Sequence, residues 1–342
     1  MKHYILPKDG NFYRANLHCH STLSDGCLTP EELKEIYKSA GYSVLAYSDH
    51  NVLIDHTDLN DEKFLALTAT EIDVTEKSEQ PWAFRRTYHI NFFPPHASNV
   101  ALPCFNPKNI RDNHADLREA QAYIGTPDFG RDYNKINEMV AEYRKHGFIA
   151  MLNHPTWSLQ DMDDYKDLDF SQFFAMEMYN HSCYVSGYDE INSHLYDEIL
   201  LRGNRLFCTA TDDNHYAHSF GTQRWDSLGG FVMIKSPELT HEAIVTALAN
   251  GNFYASNGPE IKELYVEDDR LFIKTSPAAK IVLSTSIREI KMIYPTSPHG
   301  YLYEAEFDIS DIKSDHFRLT VTDERGHMAW SQPYFKADAT NA

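Results

Sequence analysis

The sequence predicts an α/β fold followed by a small antiparallel β domain, and three observations predict it. Between about residues 14 and 255, short apolar runs alternate with amphipathic helical patterns. Those runs lack polar alternation, as strands do when a parallel sheet is covered on both sides or closed on itself. After about residue 257 the runs show in–out alternation and are joined by turns such as Glu267-Asp268-Asp269 and Asp323-Glu324-Arg325-Gly326, as in an antiparallel sandwich. The expected units are therefore 1–256 and 257–342, parted at the turn Ser256-Asn257-Gly258-Pro259.

The stretch Asn16 to His50 organises the first unit. His18 and His20 stand two apart in a strand-like run, so both imidazoles point one way and Cys19 the other. Asp25 follows in a turn before Gly26. Residues 29–40 read as a helix: Thr29 with Glu32 makes a capping box, Pro30 fits the first turn and Gly41 ends it. Its apolar stripe is Leu33, Ile36, Tyr37 and Ala40. The next strand, 43–47, runs into Asp49-His50.

Strand 64–70 ends at Glu71, and strand 88–93 carries His89. Residues 94–132 break the rhythm with a Pro- and Asn-rich stretch and a short helical piece. Such a segment is usually a functional loop or a mobile one. As a lid it would bring Lys108, Arg111, Arg118 and Arg131 toward an anion. As ordinary surface, the favoured reading for any single one of them, it would leave them solvated. Helix 134–146 precedes strand 148–152, which delivers His154. Strand 173–179 holds Glu177 and ends at Asn180-His181. Helix 188–202 precedes strand 205–211, which ends in Asp212, Asp213 and His215. A strand at 229–235 and a helix at 240–250 close the series. The polar candidates thus collect at the C-terminal ends of strands, which is the active-site face in barrels of this type. Neither common Gly-rich phosphate loop is present.

Composition narrows the function. The chain has 342 residues, 42% of them hydrophobic and 24% charged, as in an ordinary globular protein. A formal net charge of −19 repels a phosphate backbone, so no nucleic-acid partner is expected. A small anionic substrate stays compatible, because bound divalent cations reverse the local field. The five cysteines are scattered and without CxxC spacing, which suits a reducing compartment and argues against a disulfide framework or a zinc ribbon. No apolar leader region and no run long enough to span a membrane occurs, so the expected place is the cytoplasm, with no membrane partner.

The metal-ligating candidates are His18, His20, Asp25, His50, Glu71, His89, His154, Asp213 and His215. Imidazoles mixed with carboxylates suit Zn, Mn or Fe. This set is too large for one ion and suits two or three. Clustered ions of this kind can acidify a water and hold phosphoryl oxygens. No Ser or Cys nucleophile with a partnered base stands out, since Ser21, Ser24 and Ser48 read as supports for ligands. The expected mechanism is therefore attack by metal-bound hydroxide. Asp49, Asp212 and Glu177 are candidates to orient ligands from behind. Glu177 could instead protonate a leaving group. Arg85, Arg86, Asn180 and His181 are candidate substrate contacts, and Trp157 a ring to stack on.

Six motifs in order, HCHSTLSDG, SDHN, TATEID, HINF, NHP and DDNH, make residues 14–255 resemble the PHP (polymerase and histidinol phosphatase) family. The resemblance implies a distorted (β/α)7 barrel with a metal cluster at the strand C-termini. It implies one metal on His18, His20, Glu71 and Asp213. A second would share Glu71 with His89 and His154, and a third would use Asp25, His50 and His215. The second motif has Ser48 where Thr is common, and the last offers Asp212 beside Asp213. The tail resembles that of stand-alone PHP hydrolases and is read as packing, an oligomer contact or a pocket wall. The implied activity is a metal-dependent phosphoesterase acting on a small phosphorylated metabolite. The same cluster would serve a hydrolase of a carboxyl ester, amide or carbamate, and a non-catalytic, metal-stabilised binding protein is a third reading.

Overall fold

The structure, a computed structural model, describes residues 2–104, 115–124 and 132–339. It is a mixed α/β fold. Five strands form one sheet in the order Phe207–Thr211, Phe173–Asn180, Ile149–Leu152, Thr87–Phe93 and Thr70–Thr75. Facing it, Phe231–Ser236, Asn11–Asn16, Val44–Tyr47 and Leu65–Thr68 form one end of a ten-stranded sheet.

The expected barrel is not closed by strand pairing. Regular pairing stops between Leu65–Thr68 and Thr70–Thr75, and again between Phe207–Thr211 and Phe231–Ser236. Nor is it uniformly parallel. Thr87–Phe93 runs antiparallel to both its neighbours, and Phe231–Ser236 antiparallel to Asn11–Asn16. The cause is local. The chain between Thr75 and Thr87 holds only a short 3-10 turn, Trp82–Phe84. A strand pair joined without a helical crossover returns antiparallel. The expected strand 64–70 is likewise two strands, with Ala69 between them.

Two isolated bridges cross the open seams. His50 pairs with Glu71 across one, and Cys19 with Asn214 across the other. Backbone hydrogen bonds reinforce them, with Glu71 N donating to Ser48 O at 3.1 Å and Asp213 N to His18 O at 2.9 Å. The candidate ligands therefore lie where the two arcs meet.

Helices cover the outside. In Pro30–Ser39, Thr29 caps the Glu32 N–H and the Glu32 carboxylate caps the Thr29 N–H, while Leu33 and Tyr37 are buried. Ile136–Lys145 buries Ile136, Met139, Val140 and Tyr143. The helix expected over 188–202 spans Ser193–Leu201, because Glu190 is buried in the turn before it, holding Trp157 N and Asn192. Within 94–132, Leu102–Pro103 pairs with Tyr123–Ile124 and Ala115–Ala120 is helical. Arg118 is on that helix, whereas Lys108, Arg111 and Arg131 lie outside the described residues.

The C-terminal strands are antiparallel. Ile261–Glu267, Arg270–Ala278 and Leu302–Asp308 form a sheet that also takes in His3–Tyr4. Lys280–Ser284, Ile290–Ile293 and His316–Thr322 extend the ten-stranded sheet through Met328–Trp330, which pairs with Phe253–Ser256. Beside a core around Leu33, Tyr37 and Phe64, two further apolar cores are present among the described residues. One joins both arcs and includes Val44, Ile90, Met176, Val232 and Trp330. The other includes Leu264, Ile281 and Leu319 with Leu6 and Tyr254.

Candidate metal centre

Glu71 is the hub. It is fully buried where the Thr70–Thr75 strand meets the seam. Its Oε1 lies 3.2 Å from His18 Nε2, 3.0 Å from His89 Nδ1 and 3.3 Å from His154 Nε2. Its Oε2 lies 3.3 Å from His20 Nε2 and 3.2 Å from His50 Nδ1. One carboxylate thus faces two sets of imidazoles, as a bridging ligand would. Asp213 is the second hub, its Oδ1 lying 3.1 Å from His18 Nε2 and 3.0 Å from His20 Nε2. It has φ 53, a left-handed conformation that asparagine and aspartate tolerate best, and this turns its carboxylate into the cluster. On the outer side His215 Nε2 is 3.5 Å from Asp25 Oδ1 and His50 Nε2 is 3.8 Å from Asp25 Oδ2. His20 is stacked between the rings of His50 and His215, at 4.5 and 4.3 Å.

The donor atoms converge in four groups: His18, His20 and Asp213; His18, Glu71 and His154; His50, Glu71 and His89; and His20, Asp25, His50 and His215. All nine candidate ligands fall in these groups. The implied third set gains His20, and the implied second set is divided, His154 grouping with His18 and Glu71 and His89 with His50 and Glu71.

Metal ions fit this chemistry. The Glu177 carboxylate takes the Nδ1 proton of His18 at 2.7 Å, so the His18 Nε2 lone pair points at Glu71 and Asp213. His215 Nδ1 is likewise engaged by the Asp213 carbonyl at 3.0 Å, leaving Nε2 toward Asp25. Lone pairs aimed at carboxylates need a cation between them. His50 Nδ1 and Glu71 Oε2, 3.2 Å apart, are not in hydrogen-bonding geometry, and among the described residues both are buried without a hydrogen-bond partner.

The electrostatics say the same. Burial works to lower the pKa of His18, but the Asp213, Glu71 and Glu177 carboxylates outweigh it and hold it well up. In the same contest His20 is pushed up to about 10 and His154 to about 9. Glu71 and Asp213, which burial alone would raise, are held well down by the surrounding imidazoles. Burial keeps His50, His89 and His215 low and hence neutral. Without metal the cluster balances its carboxylates with protons.

Two residues act from behind. Glu177 also accepts from Thr211 Oγ1 at 2.6 Å, His154 N at 2.8 Å and Asn180 Nδ2 at 2.9 Å. Asp49 accepts from Ser21 N, Ser21 Oγ and Ser24 Oγ at 2.8, 2.8 and 2.7 Å, bracing the His20–Asp25 loop. Asp212 points away from the cluster to Tyr37 Oη and the N–H groups of Leu228, Gly229 and Gly230, at 2.7–2.8 Å.

The cluster opens into a cavity of about 380 Å³, whose wall includes Asp73, Thr75, Trp82, Trp157, Ser182 and Cys183. No Lys or Arg is among its described lining residues. Arg86 lies elsewhere, bonded to Glu76 Oε2 and Asp164 Oδ1 at 3.1 Å each. Arg85 donates to Gln80 O at 2.7 Å. Asn180 is buried beneath Asp213, and His181 bonds Tyr179 Oη and packs on Gly229. The four candidate substrate contacts are therefore not in the cavity wall. Glu177 is not in it either, so it orients His18 and His154 rather than facing a leaving group. Sequence reasoning did not single out Asn153, whose Nδ2 donates to Glu71 Oε1 at 2.7 Å, or Asp73. Asp73 was signalled by the strand period: Glu71, Asp73 and Thr75 share one face.

No family model and no curated protein matches the chain. Solved structures do. A two-domain protein from Bacteroides vulgatus ATCC 8482, containing a predicted PHP-like metal-dependent phosphoesterase, is similar at 15% identity and TM-score 0.46, over 96% of each chain. A candidate metal-dependent phosphoesterase from Bifidobacterium adolescentis ATCC 15703 is similar at 18% identity and TM-score 0.38, over 65% of this chain and 94% of that one. An amidohydrolase from Chromobacterium violaceum is similar at 16% identity and TM-score 0.36, over 59% and 87%. At these TM-scores the likeness carries no functional argument, which rests on the geometry above.

Proposed function

We propose that the chain is a metal-dependent hydrolase, and specifically a phosphoesterase acting on a small phosphorylated metabolite. The observation that carries this is Glu71, whose two buried oxygens face different imidazole sets while Asp213 joins them at the floor of an open cavity. A structural metal is usually closed in by four protein ligands, whereas this set borders open space. Two or three divalent ions of Zn, Mn or Fe type would supply Lewis-acid charge for the ester oxygens and a water of lowered pKa. His18, His20, Glu71 and Asp213 would hold one, and Glu71 with His89 and His154 a second. Asp25, His50 and His215, with His20 beside them, would hold a third.

The chain's own part is positioning. Glu177 fixes the His18 ring and the His154 backbone, Asp49 fixes the loop of His20 and Asp25, and Asn153 steadies Glu71. The cavity wall, without Lys or Arg among its described residues, leaves charge neutralisation to the metal centre. That same wall favours a second reading, hydrolysis of a carboxyl ester, amide or carbamate. Metal-stripped protein reloaded with Mn, Zn or Fe decides between them on a chromogenic phosphomonoester, phosphodiester and carboxyl ester. Metal-dependent phosphate-ester turnover is expected, and turnover of the carboxyl ester alone would overturn it.

A further inference from the structure

The outer half of the cavity is built from different material than its floor. Along the strand Thr70–Thr75, side chains two apart share a face, so Glu71, Asp73 and Thr75 form a file from the metal centre outward. At the strand rise, Asp73 is about 7 Å beyond Glu71. Its Oδ1 accepts from Asn51 Nδ2 at 2.5 Å. Asn51 in turn is fixed by its N–H to Glu71 O at 2.9 Å and by a left-handed backbone, φ 58. Beyond Thr75 the loop brings Trp82 over the mouth, 63% exposed, with its ring 5.8 Å from that of Trp157. Trp157 is held by its N–H to the buried Glu190 carboxylate at 2.5 Å and by edge contacts to His89 and His154.

Asp73 is the one carboxylate of the described wall that belongs to none of the four ligand groups. An anionic side chain and two indoles, with no Lys or Arg among the described wall residues, would repel a second acidic group on a substrate. They attract a weakly hydrated organic cation, which gains from an indole face and a carboxylate together. A compact primary ammonium is more strongly hydrated and gains less from an indole-lined seat.

We propose that the part of the substrate leaving with the scissile oxygen carries an alkylated ammonium group, seated on Asp73, Trp82 and Trp157. This rests on the hydrolase reading of the same site. The substrate's anionic end then meets the metal centre and its cationic end the file two residues outward, a separation that a two- or three-atom linker spans.

The test has two independent arms. In the first, choline is titrated into metal-free protein while tryptophan fluorescence is followed, with Asp73→Asn and Trp82→Ala alongside. Saturable quenching is expected, weakened at least tenfold in Asp73→Asn, with ethylammonium titrated in parallel binding more weakly than choline. In the second, kcat/KM of reloaded protein is compared for phosphocholine and its uncharged isostere, 3,3-dimethylbutyl phosphate. A preference of tenfold or more for phosphocholine is expected, with the ratio collapsing in both variants. Choline binding that depends on Asp73 without any phosphate-ester turnover would sink the phosphoesterase reading and keep this one. No saturable quenching, or equal kcat/KM for the two esters, would overturn the cation seat while leaving the phosphoesterase reading standing.

Discussion

Glu71 and the residues behind it decide what the site does. Glu71→Gln removes the charge that two imidazole sets face, and its amide nitrogen would point a donor at lone-pair acceptors. We expect it to lose at least one bound ion per chain by elemental analysis, with turnover falling below detection. Glu177→Gln keeps the shape but weakens the grip on His18 Nδ1, and should cost about 10–100-fold in metal affinity. A competition titration against a coloured chelator reads this, and unchanged affinity would assign Glu177 to packing alone.

Protonation gives a further check at the same scale. His20 and His154 are pushed up to about 10 and 9 in the metal-free fold, against about 6.5 in the unfolded chain. Their pairing stabilises the metal-free protein fully below about pH 6.5, and that stability is lost as pH rises through 9 to 10. His50, His89 and His215, held low, act in the opposite sense and destabilise the fold as pH falls below about 6.5. Metal-free protein should therefore melt at a lower temperature at pH 10 than at pH 7.5, and bound metal should flatten that difference. A metal-free Tm that does not fall between those pH values would contradict the proton-for-metal exchange.

At the scale of elements, the loops at the seams carry the site. A Cβ on Gly26 would come 2.3 Å from the carbonyl oxygen of His20, and one on Gly230 would come 2.2 Å from that of Thr211. Gly26→Ala must move the His20–Asp25 loop, so it should weaken binding at the outer ligand group more than it lowers Tm. Metal stoichiometry compared with thermal melting separates the two effects. Thr29→Ala, which removes a helix cap remote from the ligands, should cost about 1 kcal/mol in denaturant unfolding and leave metal content unchanged.

This is also the scale at which the sequence was most and least legible. The capping box at Thr29 and Glu32, the buried stripe of Ile136–Lys145 and the apolar strands were readable because each is written in neighbouring residues. The ligands were readable because strand period put His18 with His20. The open seams were not, since strand direction depends on whether a connection covers the sheet. Residues 76–86 show no helical period, yet the antiparallel return of Thr87–Phe93 becomes plain only in the register with Thr70–Thr75. Arg85 and Arg86 looked like anion contacts because they precede His89. The fold spends them on Gln80, Glu76 and Asp164 instead.

At the scale of the molecule, the division 1–256 and 257–342 cuts through connected structure. Phe253–Ser256 pairs with Met328–Trp330, Trp330 is fully buried in the core that joins the arcs, and His3–Tyr4 pairs with Ile261–Glu267. A chain ending at Ser256 would expose an unpaired strand edge and lose that indole, so we expect it to be insoluble when expressed alone. Trp330→Ala should destabilise the intact chain by about 3–5 kcal/mol in denaturant titration. A soluble, metal-binding 1–256 fragment would show instead that the C-terminal sandwich is dispensable.

The most direct measurement is anomalous diffraction from crystals soaked in Mn or Zn, recorded at the metal edge. Peaks are expected around the Glu71 carboxylate, one among His18, His20 and Asp213 and one toward His89 and His154. A third is expected among Asp25, His50 and His215. A single peak that leaves Glu71 uncoordinated, or no peak in the cluster at saturating metal, would contradict it.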